Sequence, residues 1–70
     1  MNYQYYVIEL SHDNGKTYLK TAARNAQTAK TNTMLCESCP ESAIRLMEIP
    51  QGLFTLDAKS LFTQFEKSHF

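Results

Sequence analysis

The chain has 70 residues, of which 43% are hydrophobic and 11% aromatic, and this composition suits one small folded domain rather than a disordered segment. Seven basic and seven acidic residues cancel. That balance excludes a polyanion that imitates DNA and a strongly basic nucleic-acid binder.

The start of the chain, "MNYQYYVIEL", has neither the basic segment nor the small-residue cleavage site of a signal peptide. The longest apolar runs are too short to cross a bilayer. We therefore expect a cytoplasmic protein that contacts no membrane and keeps its cysteines reduced.

The first predicted element is a β-hairpin. Residues 3–11, "YQYYVIELS", are rich in aromatic and β-branched side chains, which are typical of a strand. Asn14-Gly15 supplies the two positive-φ residues of a tight turn, and residues 17–23, "TYLKTAA", form the returning strand.

A helix is predicted after the hairpin. Asn25 is a favourable N-cap for "AQTAKTNTMLCES", in which Ala26, Ala29, Thr33 and Cys36 fall on one stripe. Pro40 ends this helix, because a proline has no N–H for the helical ladder.

The remaining elements are two short strands and a second helix. Residues 42–49, "SAIRLMEI", are predicted as a strand, and 53–56, "LFTL", as its partner after the turn "PQG". Asp57 is predicted to cap "AKSLFTQFEKSHF", whose apolar residues recur at helical spacing.

The order β-β-α-β-β-α predicts one α+β domain over residues 1–70, with a four-stranded antiparallel sheet and both helices packed on one face. Alternation along the first strand places Tyr6, Ile8 and Leu10 on the core face. Val7 and Glu9 then lie on the outward face with Tyr3 and Tyr5.

The stretch "CESCP" at residues 36–40 contains a Cys-x-x-Cys pair, which could belong to a metal site, form a redox pair or have neither role. A zinc site needs four ligands, and Cys36, Cys39, His12 and His69 do not have zinc-finger spacing. The pair lies at a predicted helix C-terminus, where the dipole opposes a thiolate. We favour a small buried Cys36 and a loop Cys39, and we predict no metal and no cofactor.

Catalytic patterns are also missing from the sequence. A nucleophile–base pair would depend on one of two histidines, which fall at a turn and next to the end of the sequence. No Gly-rich phosphate loop is present, and both glycines serve turns. We therefore expect no enzyme activity.

One cluster favours a binding function. The outward sheet face gathers tyrosines and cations, which provide contact area and directional hydrogen bonds at interfaces. The predicted partner-binding residues are Tyr3, Tyr5, Tyr18, Lys20 and Arg45.

Several alternatives to this interface stay open. The same residues are suited to stacking nucleic-acid bases and contacting phosphate, or to burying the face in a homodimer. The tyrosines also fit the solvent side of a strand without any binding role. Finally, the last helix would cover this face if it buried Val7, Met47 and Ile49.

Four stretches, "YVIEL", "TAARNAQTAK", "AIRLMEI" and "GLFTL", follow a β-β-α-β-β plan over residues 5–56. This pattern resembles small phage-encoded anti-CRISPR proteins that inhibit type I CRISPR–Cas systems. The resemblance implies a non-enzymatic inhibitor in the bacterial cytoplasm. We expect the protein to be a monomer or a homodimer. Its partner would be a Cas protein or surveillance complex, and it would block target DNA binding or nuclease recruitment. A small nucleic-acid-binding domain is the alternative.

Overall fold

A computed structural model describes residues 2–12 and 15–69, without the side chains of His12 and residues 67–69. Three strands and two α-helices make up an α+β domain. In chain order they are β1 (Gln4–His12), β2 (Gly15–Ala23), α1 (Ala26–Glu37), β3 (Ile44–Ile49) and α2 (Ala58–His69). Two 3-10 turns, Glu41–Ala43 and Gln51–Leu53, flank β3.

The predicted hairpin is confirmed by the pairing of β1 with β2. The two strands are antiparallel over their full length, from Gln4 opposite Ala23 to His12 opposite Gly15. Gly15 has a φ of 127°, a conformation that side chains with a Cβ rarely adopt. Asn14, the other predicted turn residue, lies outside the described residues.

The predicted cap of α1 is confirmed. The Asn25 side chain accepts a 2.8 Å hydrogen bond from the backbone N–H of Thr28, which satisfies one of the free donors of the first turn. The helix ends before Pro40, where Ser38 takes a left-handed conformation and donates its N–H to the Met34 carbonyl. A left-handed C-terminal residue of this kind closes many helices.

The predicted fourth strand is wrong, and the sheet has three strands in the order β2-β1-β3. After β3, the N–H groups of Leu53, Phe54 and Leu56 each bond the carbonyl three residues earlier. These bonds form successive tight turns, so the segment has no extended backbone to offer to the β3 edge. The strand prediction for "LFTL" failed because a short apolar run does not by itself distinguish a strand from other local structures.

The prediction that both helices pack on one sheet face is also wrong. The α1 face holds Tyr6, Ala23 and Ala29 in one cluster and Ile8, Leu10 and Ile44 in another. The α2 face holds Val7, Met47 and Ile49 against Ala58, Leu61 and Phe62. The sheet is therefore the middle layer of three, and both of its faces are core.

In the described part of the chain, no helix has the length and apolar character needed to cross a membrane. The longest helices, α1 and α2, have 12 residues each, whereas about 20 are needed.

Candidate functional site

The strand register places four of the predicted binding residues on one sheet face, as alternation predicted. Lys20 lies opposite Val7, and both Tyr18 and Arg45 lie opposite Glu9. Tyr5 belongs to the same face because it is two residues from Val7. This face is not open, however, because α2 and the segment before it pack over it.

Tyr5 and Lys20 are engaged by the segment that leads into α2. The rings of Tyr5 and Phe54 are 4.8 Å apart between centroids. The Lys20 ammonium donates to the carbonyls of Phe54 at 2.7 Å and Leu56 at 2.8 Å, and it lies 5.3 Å from the centre of the Phe54 ring. Lys20 thus holds two carbonyls that the tight turns leave unpaired, and it anchors this segment on the sheet.

Tyr18 and Arg45 converge on the buried carboxylate of Glu9, whose side chain is 3% exposed. The Tyr18 hydroxyl donates to one carboxylate oxygen at 3.1 Å, and Arg45 donates to the other at 3.2 Å. The Lys16 ammonium lies 3.5 Å from the first oxygen. Burying a carboxylate is costly unless it is hydrogen-bonded and paired, so this network is a structural element of the α2 face.

Arg45 also connects this network to α2. Its guanidinium lies 2.6 Å from the Glu66 carboxylate and 5.3 Å from the centre of the Phe62 ring. Partial burial lowers the pKa of Arg45, but Glu66 and Glu9 together raise it above its usual value. Partial burial and the hydrogen bond to Glu9 raise the pKa of Tyr18. Both side chains therefore keep their ordinary charge states at neutral pH.

Tyr3 is the exception among the five predicted binding residues. It precedes β1 and is 51% exposed. The other four are half-buried and have the internal contacts described above. The register thus brings four of the five together, but under α2 rather than at the surface.

The outer side of α1 offers a different surface, which sequence analysis missed. Its exposed residues before Glu37 carry no charge, and they include Leu35, which is 76% exposed. The members of this α1 outer face are Ala26, Gln27, Thr28, Thr31, Asn32, Leu35 and Cys36. The available signal was a leucine off the Ala29–Thr33 stripe in a helix with few charges.

Beside this face, a groove of about 250 Å³ runs between β2 and the second half of α1. Leu19 and Thr21 contribute from the strand, and Asn32, Thr33 and Cys36 from the helix. The groove exists because α1 covers only part of β2, whose side chains in this region are half-buried.

The two cysteines do not form a disulfide; Cys36 is exposed and Cys39 is half-buried. The predicted burial of Cys36 is therefore wrong, whereas Cys39 lies in the loop after α1 as predicted and packs against the cluster of Ile8, Leu10 and Ile44. Within the described residues, no group of three or more His, Cys, Asp or Glu side chains is placed to hold a metal ion. The side chains of His12 and His69, which the zinc hypothesis would need, lie outside the description.

Comparison of the chain with protein-family models, curated proteins and solved structures finds no match.

Proposed function

We propose that this protein is a non-enzymatic inhibitor that binds a bacterial type I CRISPR–Cas surveillance complex and blocks target DNA binding or nuclease recruitment. The proposal starts from the resemblance of residues 5–56 to small anti-CRISPR proteins. The observation that supports a binding role most directly is the uncharged exposed surface of α1 around Leu35, which is itself 76% exposed.

The α1 outer face has the composition of a protein-contact surface. Interface centres are depleted of charged residues, because charges lose hydration there without full compensation. Leu35 provides an apolar anchor, and Gln27, Thr31 and Asn32 provide hydrogen-bonding groups around it. A single exposed leucine is common on protein surfaces. The more informative part is that the exposed residues beside it on this face are uncharged, while Lys30 is half-buried and Glu37 is the last residue of the helix.

Steric occlusion is the mode of inhibition that suits this surface. A protein that competes as a DNA mimic needs many carboxylates to replace phosphates. This chain has a formal net charge of zero, and the α1 outer face carries none of its acidic residues. The α1 outer face would instead cover a protein site that the DNA or the nuclease must reach.

The alternative of base stacking by sheet tyrosines gains no support from their environment. The ring of Tyr5 packs on Phe54, and that of Tyr18 lies 5.8 Å from Phe62 between centroids. Lys20 is occupied by two backbone carbonyls. Stacking platforms need open ring faces beside a cationic groove, so this alternative would require α2 to move away.

The test measures target-DNA binding and nuclease recruitment by a panel of purified type I surveillance complexes, with wild-type protein, Leu35→Glu or Gln64→Glu in molar excess. Gln64 is an exposed residue of α2, so its variant adds the same charge on the opposite side of the sheet. We expect wild type and Gln64→Glu to inhibit one complex. Leu35→Glu should inhibit at least about tenfold more weakly, because a charge would be buried at the contact.

Failure takes distinguishable forms. Inhibition that Leu35→Glu retains would place the contact elsewhere than the α1 outer face. Unchanged DNA binding and nuclease recruitment, with no co-migration of the protein on any complex, would contradict the proposed inhibition. Binding of free nucleic acid that weakens steeply with salt would favour the nucleic-acid alternative.

A further inference from the structure

The outer edge of β2 is unpaired among the described strands. Strand β2 lies at the end of the sheet order β2-β1-β3 and pairs with β1 alone among the described strands. Its nine residues contain no proline, so every residue retains its N–H. An edge of this length presents a row of donors and acceptors that another extended strand can satisfy.

We propose that two copies of the protein pair through their β2 edges and form a continuous six-stranded antiparallel sheet. This dimer differs from one that buries the tyrosine face, because that face is covered by α2. It is also separate from the proposed inhibition, which depends on the α1 outer face.

Symmetry and charge select the register of this pairing. In a two-fold symmetric antiparallel pair, opposed side chains must lie on the same side of the sheet. This holds only when one residue, at the axis, pairs with the same residue of the second copy. A nine-residue strand has such a central residue, Leu19, and pairing Leu19 with Leu19 engages all of Gly15–Ala23. Lys16 then lies opposite Ala22, and Lys20 opposite Tyr18, so no lysine faces a lysine.

The side chains on the α1 side of β2 are also suited to this register. Thr17 lies opposite Thr21 twice across the axis, and the two Leu19 side chains meet at the centre. Threonine pairs and apolar pairs at directly opposed positions stabilise antiparallel strands. Leu19 and Thr21 are half-buried beside the groove, which leaves their outer sides available to a second copy.

The other sheet edge does not offer this match. Strand β3 has six residues and therefore no central residue, so a two-fold axis cannot pair the whole strand with aligned faces. Pro50 follows directly and cannot donate to an extended ladder. The β2 edge is longer than the β3 edge and has an odd number of residues, and both differences favour pairing through β2.

The first test is sedimentation velocity of the full chain over about a hundredfold range of concentration, since a dimer dissociates on dilution. We expect a dimer for wild type. Leu19→Lys, which opposes two like charges at the axis, should weaken association at least about tenfold. The matched control Thr63→Lys, on the exposed side of α2, should leave association unchanged.

A cross-link tests the register itself. In the background of Cys36→Ser and Cys39→Ser, Leu19→Cys should give a disulfide-linked dimer on mild oxidation, because opposed residues have Cα atoms about 4.5–5.5 Å apart. Thr21→Cys should cross-link much less, because its opposite residue is Thr17.

Monomeric wild-type protein throughout the concentration range would overturn the proposal. So would a dimer in which Leu19→Lys has no effect, or in which Leu19→Cys and Thr21→Cys cross-link equally. If Leu19→Lys fails to fold, the cross-linking result decides alone.

Discussion

At the scale of single residues, Glu9 has a structural role that the sequence did not predict. Alternation correctly placed Glu9 on the same face as Tyr5 and Val7. It gave no information on whether that face was open, and a charged residue on a strand normally indicates solvent. The carboxylate is instead buried, with Lys16, Tyr18 and Arg45 as its partners.

This environment leads to a prediction for Glu9→Ala. The substitution leaves Lys16 and the Tyr18 hydroxyl without their acceptor, although Arg45 keeps Glu66. Lys16 and Arg45 are partly exposed to solvent, so the cost comes mainly from the unpaired Tyr18 hydroxyl, and we expect a loss of about 2 kcal/mol in the free energy of unfolding. Urea denaturation should show this loss as a lower transition midpoint.

The matched control is Glu41→Ala, which removes an exposed carboxylate 3.6 Å from the Lys30 ammonium. Exposed pairs are worth less than about 1 kcal/mol, so this variant should remain close to wild type. Equal losses from the two substitutions would show that Glu9 is not buried in a network.

At the scale of elements, the termini of the helices were predictable and the end of the sheet was not. Asn25 and Asp57 act through bonds to residues three positions later, and such local chemistry is visible in sequence. The fate of residues 53–56 depends instead on distant partners. Phe54 packs on Tyr5, and Lys20 binds the carbonyls of this segment, so no local pattern reveals that it crosses the sheet.

The cap of α2 gives a prediction with a defined pH dependence. The Asp57 carboxylate accepts a 3.0 Å hydrogen bond from the Ser60 N–H, and this bond is the main cause that lowers the pKa of Asp57 from its ordinary value of 3.8. The folded state therefore binds the proton less tightly than the unfolded state. The contribution is present above pH 3.8 and is lost as the pH falls through the lower, folded pKa.

Asp57→Ala should accordingly lower the melting temperature at pH 7 by about 5 °C. The difference in melting temperature between this variant and wild type should shrink as the pH falls below 3.8. Asp57→Asn, which keeps a capping oxygen without the charge, should lose at pH 7 only the charge-dependent part of the cap, the same part by which the Asp57→Ala difference shrinks at low pH. Thermal melts at a series of pH values measure both effects. A constant difference for Asp57→Ala at every pH would contradict a role for the carboxylate charge.

At the scale of the whole molecule, the composition and the strand register were informative and the layering was not. The α+β class, the hairpin and the shared face of Tyr5, Tyr18, Lys20 and Arg45 all follow from alternation and turn chemistry. The face that each helix covers is determined by tertiary packing and not by local sequence. Both faces of this sheet carry apolar residues, Ile8 and Leu10 on one and Val7 and Met47 on the other, so each accepts a helix.

This layering also shifts the candidate site. Because α2 packs over the tyrosine face, the contacts of Tyr5 and Tyr18 are internal, and the surfaces that we propose for partners are the α1 outer face and the β2 edge. Small domains have little core to spare, since the fraction of surface that they bury is low. Covering both sheet faces is one way for a chain of 70 residues to bury enough apolar area.

The packing of α2 over the tyrosine face is tested most directly by thermal unfolding of Tyr18→Ala beside Tyr3→Ala. Both tyrosines belong to the predicted binding set, but Tyr18 contacts Glu9 and Phe62 while Tyr3 is half exposed. We predict that Tyr18→Ala lowers the melting temperature by roughly 8 °C or more and that Tyr3→Ala changes it by less than about 3 °C. Two variants as stable as wild type would show that the tyrosine face is open, and would contradict the three-layer arrangement.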